Sequence, residues 1–230
     1  MKEALKLCFL LLVVSVGLSE GQTPIKCSRK TDIIFVVDRS GSVKEDDYKQ
    51  MRSFLTTVGE ALQVGVQSGD GDVYGHAAVV TFSEEAAKEI NLEESDTPGA
   101  FAAAVKRMSG PEAGGRTKTH LALKLADEEV AIESAGYRES ESDVAKIFVV
   151  ITDGEQTQDS RSTYVGEAIK PFFDRDMMQV FAIGVGLQKD SAKQEIRDMV
   201  EEPGNAMFPA SYSDLIGNVN NFIRSFCPGI

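Results

Sequence analysis

The stretch Asp32-Ile-Ile-Phe-Val-Val-Asp38-Arg-Ser40-Gly-Ser42 decides the fold. Five apolar residues, most of them β-branched, stand between the two aspartates, which is the pattern of a strand buried on both faces. Such strands belong to parallel sheets that helices cover on both sides. The strand ends in a carboxylate, and a buried carboxylate is costly unless it has partners. We therefore expect a site just beyond Asp38.

The rest of the chain alternates between short apolar runs and segments with helical spacing. The apolar runs predict further strands at residues 76–82, 87–92, 146–153, 179–185 and 206–209. The helical spacing predicts helices at residues 44–64, 97–108, 121–132, 162–175, 191–200 and 214–226. This order predicts an α/β fold: a doubly wound, mostly parallel sheet with one short antiparallel edge strand and helices on both faces.

The first residues have the features of a secretory signal peptide. Two lysines precede the apolar run at residues 7–18, and small residues follow it. A run of about 12 residues is too short for a membrane span, which needs about 20. We expect residues 1–21 to be cleaved, and residues 22–230 to form a single secreted domain with its core at about 32–226 and no membrane insertion.

The charge balance excludes two classes of partner. The sequence has 36 acidic residues against 24 lysines and arginines, a formal net charge of −12. The predicted leader carries two lysines and two glutamates, so its removal leaves the charge unchanged. An acidic protein repels nucleic acid and anionic lipid, and the expected partner is therefore a protein.

Two of the three cysteines remain after the leader is removed. Cys27 and Cys227 lie at opposite ends of the predicted mature chain. In an oxidising compartment they are expected to form disulfides. A bond within the chain requires both termini to lie side by side, and the alternative is a bond between two molecules.

Two buried strands end in aspartates, Asp38 and Asp153. In doubly wound sheets, ligands bind beyond the carboxyl ends of the strands, where the strand order reverses. The two aspartates are therefore expected to face one site, together with Ser40 and Ser42. Carboxylates and hydroxyls are hard oxygen ligands, which suit Mg²⁺, Ca²⁺ or Mn²⁺ better than zinc or copper.

Three sequence pieces together resemble a known site. They are Asp38-x-Ser40-x-Ser42, Gly114-Gly115-Arg116-Thr117-x-Thr119 and Thr152-Asp153-Gly154. In this order they resemble the metal-ion-dependent adhesion site of von Willebrand factor type A domains and integrin inserted domains, and the resemblance covers the whole predicted mature chain.

That resemblance implies specific residues and a cation. The implied metal site consists of Asp38, Ser40, Ser42, Thr117 and Asp153, with the hydroxyls on the cation and the carboxylates acting mostly through water. It implies one divalent cation, Mg²⁺ in the first place and Mn²⁺ or Ca²⁺ as alternatives. It also implies a disulfide between Cys27 and Cys227, as in many extracellular members.

The function that follows from the resemblance is cation-dependent adhesion in the extracellular matrix. An acidic residue of a partner such as collagen or another matrix protein would complete the cation's ligands. The alternative is a structural matrix domain that binds its partners independently of metal.

An enzyme is not expected. A phosphatase using Asp38 as nucleophile in the manner of haloacid dehalogenases would have an aspartate where Ser40 stands, and no nucleophile elbow or phosphate loop is present.

Two features depart from the family pattern. His120 stands where a glycine usually follows the second threonine, which could alter the loop beside Thr117. The loop at residues 65–75 is longer than typical, and it contains Asp70 and Asp72 in a sequence like half a calcium loop. Because the later calcium ligands are missing, we interpret it as a flexible loop. His76 and His120 lack the spacing of paired zinc ligands.

Overall fold

The computed structural model describes residues 25–227, so the predicted signal peptide at residues 1–21 lies outside the described part. The strands are β1 Thr31–Asp38, β2 Gly75–Phe82, β3 Ala86–Ile90, β4 Ala145–Thr152, β5 Met178–Gly184 and β6 Ala206–Met207. The helices are α1 Glu45–Ala61, α2 Ala100–Arg107, α3 Thr119–Glu129, α4 Val165–Ala168, α5 Lys170–Phe173, α6 Asp190–Asp198, α7 Tyr212–Gly217 and α8 Val219–Phe226. Within residues 25–227, no helix is long and apolar enough to cross a membrane.

The six strands form one sheet in the order β3-β2-β1-β4-β5-β6. All neighbours are parallel except β2 and β3, which pair antiparallel at one edge. The predicted fold class is confirmed. The chain builds the sheet outward from β1 in one direction, then restarts at β4 on the other side of β1. The strand order therefore reverses between β1 and β4, where a ligand site is expected.

Helices cover both faces of this sheet, and all eight residues of β1 are buried. Ile33, Phe35 and Val37 belong to a core that also includes apolar residues of α1, α2, α7 and α8. Ile34 and Val36 belong to the opposite core, formed with α3 to α6. Each fully buried side chain of this size contributes about 1.5–3 kcal/mol through loss of its apolar surface from water. The central strand is thereby fixed on both faces.

Two predicted helices are each divided in the structure. The segment 162–175 contains α4 and α5, and Pro171 lies in the first turn of α5, where its missing N–H group costs least. The segment 214–226 contains α7 and α8, which meet at Asn218. The Asn218 side-chain amide donates to the Asp214 carbonyl oxygen at 2.9 Å, so it competes with the regular backbone ladder.

The loop at residues 65–75 differs from the flexible loop that the sequence suggested. Its arms are held by backbone hydrogen bonds, among them Tyr74 N–H to the Val66 oxygen at 2.9 Å. Lys30 Nζ lies 2.8 Å from a carboxylate oxygen of Asp70 and 3.1 Å from one of Asp72. The two aspartates that resembled half a calcium loop are therefore ion-pair partners of a lysine.

The structure joins Cys27 to Cys227 by a disulfide that spans 200 residues of sequence, with the two Cα atoms 5.9 Å apart. The Cys27 N–H also donates to the Ala61 oxygen at 2.7 Å, at the last residue of α1. The end of α8 is thereby tied to the segment that leads into β1.

A buried ion pair lies at the other end of β1 from Asp38. Arg138 donates through Nε and Nη2 to Asp32 Oδ1, at 2.9 and 2.6 Å. Its backbone N–H donates to Asp32 Oδ2 at 2.8 Å, and Nη1 donates to Asp72 Oδ2 at 2.9 Å. Asp32 is 1% exposed, so its charge depends on this arginine for compensation.

Replacing Arg138 by methionine is expected to lower the free energy of unfolding by about 3 kcal/mol, because the Asp32 carboxylate would stay buried without its cation. Urea unfolding at pH 7 measures the change. The control is Lys124→Met, which breaks only an exposed ion pair with Glu128. If both substitutions cost the same, the Asp32 pair does not have the assigned role.

Candidate metal centre

The site lies where β1 and β4 end side by side, at the reversal of the strand order. Asp38 is the last residue of β1 and is 1% exposed. Its Oδ1 accepts a hydrogen bond from the Ser40 N–H at 2.7 Å, and its Oδ2 accepts one from Thr152 Oγ1 at 2.6 Å. Thr152 ends β4, so the carboxylate joins the two strands and orders the turn after β1.

The turn after β1 packs directly on the second sequence piece. A Cβ atom on Gly41 would lie 2.7 Å from the Gly114 nitrogen, which is too close for any side chain. The Gly41 N–H donates to the Gly115 oxygen at 2.9 Å, and Gly114 has a φ of +76°. Glycine is therefore required on both sides of this contact, which brings Thr117 towards the serines.

The structure brings the five predicted site residues together. Thr117 Oγ1 donates to Ser40 Oγ at 3.2 Å, and the hydroxyls of Ser40 and Ser42 are also 3.2 Å apart. Ser42 Oγ donates to Asp153 Oδ1 at 2.6 Å. Three hydroxyls thus form a connected group between the Asp38 and Asp153 carboxylates.

The chemistry of these donors fits one hard divalent cation. All of them are oxygens, which Mg²⁺, Mn²⁺ and Ca²⁺ prefer. No group of three or more His, Cys, Asp or Glu side chains that could hold a metal occurs within residues 25–227. A cation at this site would therefore depend on the hydroxyls as well as the carboxylates.

Gly154 leaves space beside the hydroxyls. A Cβ atom at this position would lie 3.6 Å from Thr117 Oγ1 and 3.9 Å from Ser42 Oγ. A longer side chain at position 154 would therefore extend from a point next to these hydroxyls. The Thr152-Asp153-Gly154 piece thus combines a partner for Asp38, a carboxylate and an open position.

Burial raises the pKa of both carboxyl groups. Desolvation raises the pKa of Asp38 to about 6, against the opposing effect of its hydrogen bonds from Ser40 and Thr152. Desolvation also raises the pKa of Asp153, and the negative charge of Asp47 adds to this effect. A divalent cation would favour the ionised forms, so cation binding is coupled to proton release from this site.

His120, the departure from the family pattern, belongs to a buried network behind the site. Its backbone N–H and its Nδ1 both contact Gln156 Oε1 at 2.8 Å. The Gln156 N–H in turn donates to Glu195 Oε2 at 2.8 Å. This network ties the segment after Thr117 to the loop that follows Asp153. Sequence reasoning did not identify Gln156 or Glu195, because nothing in their local sequence indicates the contact.

Lys118 adds a second link between the same two loops. It is 4% exposed, and its Nζ donates to Asp159 Oδ2 at 2.6 Å and to the Thr157 oxygen at 3.0 Å. The Thr157 N–H donates to the Thr117 oxygen at 2.8 Å. Thr117 is thus held from the side of β4 as well as from the side of β1.

Two shallow cavities flank Asp153 at the surface. One, of about 270 Å³, is lined by Ser42, Lys44, Asp47 and Tyr212 among others. The other, of about 280 Å³, continues past Asp153 along the loop at residues 186–189. The carboxylate therefore lies at a surface that a macromolecule can reach.

Comparison with known proteins agrees with this architecture. The von Willebrand factor type A domain model matches residues 32–221. The chain belongs to this family.

Matrilin-1 of Homo sapiens is 29% identical to the chain over 231 residues, covering 97% of the chain and 43% of matrilin-1. Integrin alpha-M of Mus musculus is 26% identical over 199 residues, covering 85% of the chain and 16% of the integrin. The chain thus spans less than half the length of these relatives.

Among solved structures, the fold is shared with proximal thread matrix protein 1 from the mussel byssus, described with a zinc-occupied MIDAS motif. That structure has a TM-score of 0.74 and 24% identity, and the match covers 88% of this chain and 49% of the byssal chain.

Replacing Asp38 by asparagine is expected to stabilise the cation-free protein at pH 7 by about 1–3 kcal/mol, because folding raises the carboxyl pKa from 3.8 to about 6. The folded state holds the proton more tightly, so ionisation of Asp38 lowers stability as the pH rises through this interval. The gain should therefore vanish at about pH 3, below both pKa values. Urea unfolding with a chelator at both pH values measures it.

The control is Asp96→Asn, a change at an exposed aspartate. It should show no comparable difference between the two pH values. A loss of stability in Asp38→Asn at pH 7 would show that the hydrogen bonds to the carboxylate outweigh its desolvation.

Proposed function

We propose that this protein is a secreted adhesion module that binds an extracellular protein through one divalent cation held at Asp38, Ser40, Ser42, Thr117 and Asp153. The observation that carries the proposal is the connected group of three hydroxyls between two carboxylates, at the reversal of the strand order. Mg²⁺ is the proposed cation in the first place, with Mn²⁺ or Ca²⁺ as alternatives.

The hydrogen bonds of the two carboxylates support a role behind the hydroxyls. Both oxygens of Asp38 already accept hydrogen bonds, from Ser40 and Thr152. Asp153 accepts one from Ser42. Ser40, Ser42 and Thr117 would then contact the cation as neutral ligands, and much of its charge would remain uncompensated.

An acidic residue of the partner would supply the missing negative charge. The position of Asp153 between two surface cavities supports this mode, because a partner's side chain can approach there. The sequence similarity to a matrilin and an integrin supports an extracellular protein partner, such as collagen or another matrix component. This is a binding function, and the proposal assigns the chain no enzymatic reaction.

Secretion is part of the proposal. It rests on the signal-peptide pattern of residues 1–21, with residues 22–230 as the mature single domain. The disulfide between Cys27 and Cys227 supports an oxidising compartment, where such bonds persist.

The proposal is tested by calorimetric titration of the oxidised protein with Mg²⁺, Mn²⁺, Ca²⁺ and Zn²⁺. One binding site is expected, weakened at least about tenfold by Asp38→Ala and by Ser42→Ala, because each removes an oxygen that holds or orients the cation. The control is Ser134→Ala, which removes an exposed hydroxyl that lines neither the metal centre nor the cavities beside Asp153.

The adhesive function is tested by binding to immobilised matrix proteins, beginning with collagen. Binding is expected to disappear with EDTA and in Ser42→Ala, and to persist in Ser134→Ala. Binding that survives both EDTA and Ser42→Ala would favour the alternative, a structural domain that recognises its partners independently of metal.

The disulfide leads to a further expectation about affinity. Because Cys227 follows α8 directly and is bonded to Cys27, a large displacement of this helix is restrained. We therefore expect one binding state. Hydrogen exchange of residues 219–226 should be the same with Mg²⁺ and with EDTA, and a large increase in exchange on adding the cation would contradict it.

A further inference from the structure

A groove runs between α1 and α2, and it shares no lining residue with the metal centre or with the cavities beside Asp153. It consists of two adjoining cavities of about 380 and 420 Å³. Both cavities are lined by Thr56, Glu60 and Ala102. We refer to these two cavities together as the α1–α2 groove.

Its shape follows from a close contact between the two helices. A Cβ atom on Gly59 would lie 2.6 Å from Cδ1 of the Phe101 ring, so the glycine lets the ring lie directly against α1. The apolar lining continues with Val64 and Val105. Val66, also in the lining, is 38% exposed, which leaves apolar surface at the groove open to water.

The charge of the groove is opposite to that of the protein. Its lining contains three cations, Lys26, Arg52 and Lys106, and one carboxylate, Glu60, a formal charge of +2. The whole chain carries −12. Within residues 25–227, none of these three cations forms an ion pair with a carboxylate, whereas Lys30, Arg138 and Arg175 all do.

Arg52 is held in place by contacts with other residues of the protein. Its guanidinium lies 4.8 Å from the centre of the Tyr48 ring and donates through Nη2 to the Met108 oxygen. Its Nε is buried and has no hydrogen-bond partner within the described part of the chain. The guanidinium is thus fixed in place while its charge remains available to a partner.

We propose that the α1–α2 groove binds an acidic peptide segment of a partner protein, one that carries leucine, isoleucine or phenylalanine next to aspartate or glutamate. The apolar side chain would lie between α1 and α2, and the carboxylates would pair with Lys26, Arg52 and Lys106. Charge complementarity of this kind selects the partner and speeds its association. Binding in the groove needs no metal ion, so the groove is a second binding surface that is independent of the metal centre.

The experiment selects from a displayed library of random 12-residue peptides against the whole oxidised protein, with EDTA present throughout. The chelator removes binding of acidic residues at the metal centre, so failure here and failure of the proposed adhesion function are separate results. The enriched peptides are expected to be acidic and to contain leucine, isoleucine or phenylalanine. Absence of enrichment, or enrichment without an acidic bias, would overturn the proposal.

An enriched peptide is then measured by fluorescence anisotropy against two matched pairs of variants on α2. Lys106→Glu should weaken binding about fivefold or more, and Arg107→Glu, at the neighbouring exposed position outside the groove, should not. Ala102→Trp fills the groove and should abolish binding, whereas Ala103→Trp should leave it unchanged. Equal effects within either pair would refute the assignment.

A fragment of heparin serves as the competing ligand. If heparin binds the wild type but not Lys106→Glu, and no acidic peptide does so, the groove recognises a sulfated polysaccharide and the peptide proposal is wrong. Peptide binding that weakens with added salt and is lost in Lys106→Glu supports it.

Discussion

At the end of the central strand, the Asp38 carboxylate accepts one hydrogen bond from the turn that follows and one from the last residue of the neighbouring strand. A carboxylate in this position would destabilise an ordinary α/β domain, and burial indeed raises its pKa to about 6. This carboxylate lies at the edge where the strand order reverses between β1 and β4, which is where ligands bind in doubly wound sheets. The turn that Asp38 orders carries Ser40, whose hydroxyl forms hydrogen bonds with those of Ser42 and Thr117. Burial of the ionised Asp38 carboxylate therefore lowers the stability of the fold, and a divalent cation bound at the site would offset this cost.

The surroundings make the site rigid from two directions. On one side, the glycines at positions 41 and 114 allow two backbones to meet without side chains between them. On the other, buried polar contacts from Lys118 and from His120 to the loop after Asp153 replace the flexibility that a glycine at position 120 would bring. The disulfide between Cys27 and Cys227 then closes the chain at the opposite end of α1 from the site. These constraints favour a preformed binding surface.

Much of the fold could be read from the sequence because the hydrophobic patterns were unambiguous. A run such as Ile33 to Val37 can be satisfied only by burial on both faces, and its alternation with helical segments leaves a doubly wound sheet as the natural arrangement. The predictions differed from the structure where another constraint opposed the hydrophobic pattern. Asn218 divides the last helix through its side chain, and Pro171 restricts the helix at residues 162–175. The loop at residues 65–75 is held by ion pairs with Lys30, a residue distant in sequence, and local sequence does not reveal such pairs.

The candidate site shows the same division. By itself, the sequence placed Asp38, Ser40, Ser42 and Asp153 after the ends of buried strands, because uninterrupted apolar runs that end in carboxylates are a local pattern. Thr117 was added only by the resemblance to the family. Only the tertiary structure decided that Thr152 donates a hydrogen bond to Asp38, that Gln156 and Glu195 lie behind His120, and that Phe101 packs on Gly59 beside a basic groove. Each of these depends on residues at least 36 positions apart, and the distance between such residues is set by how the helices and strands pack together.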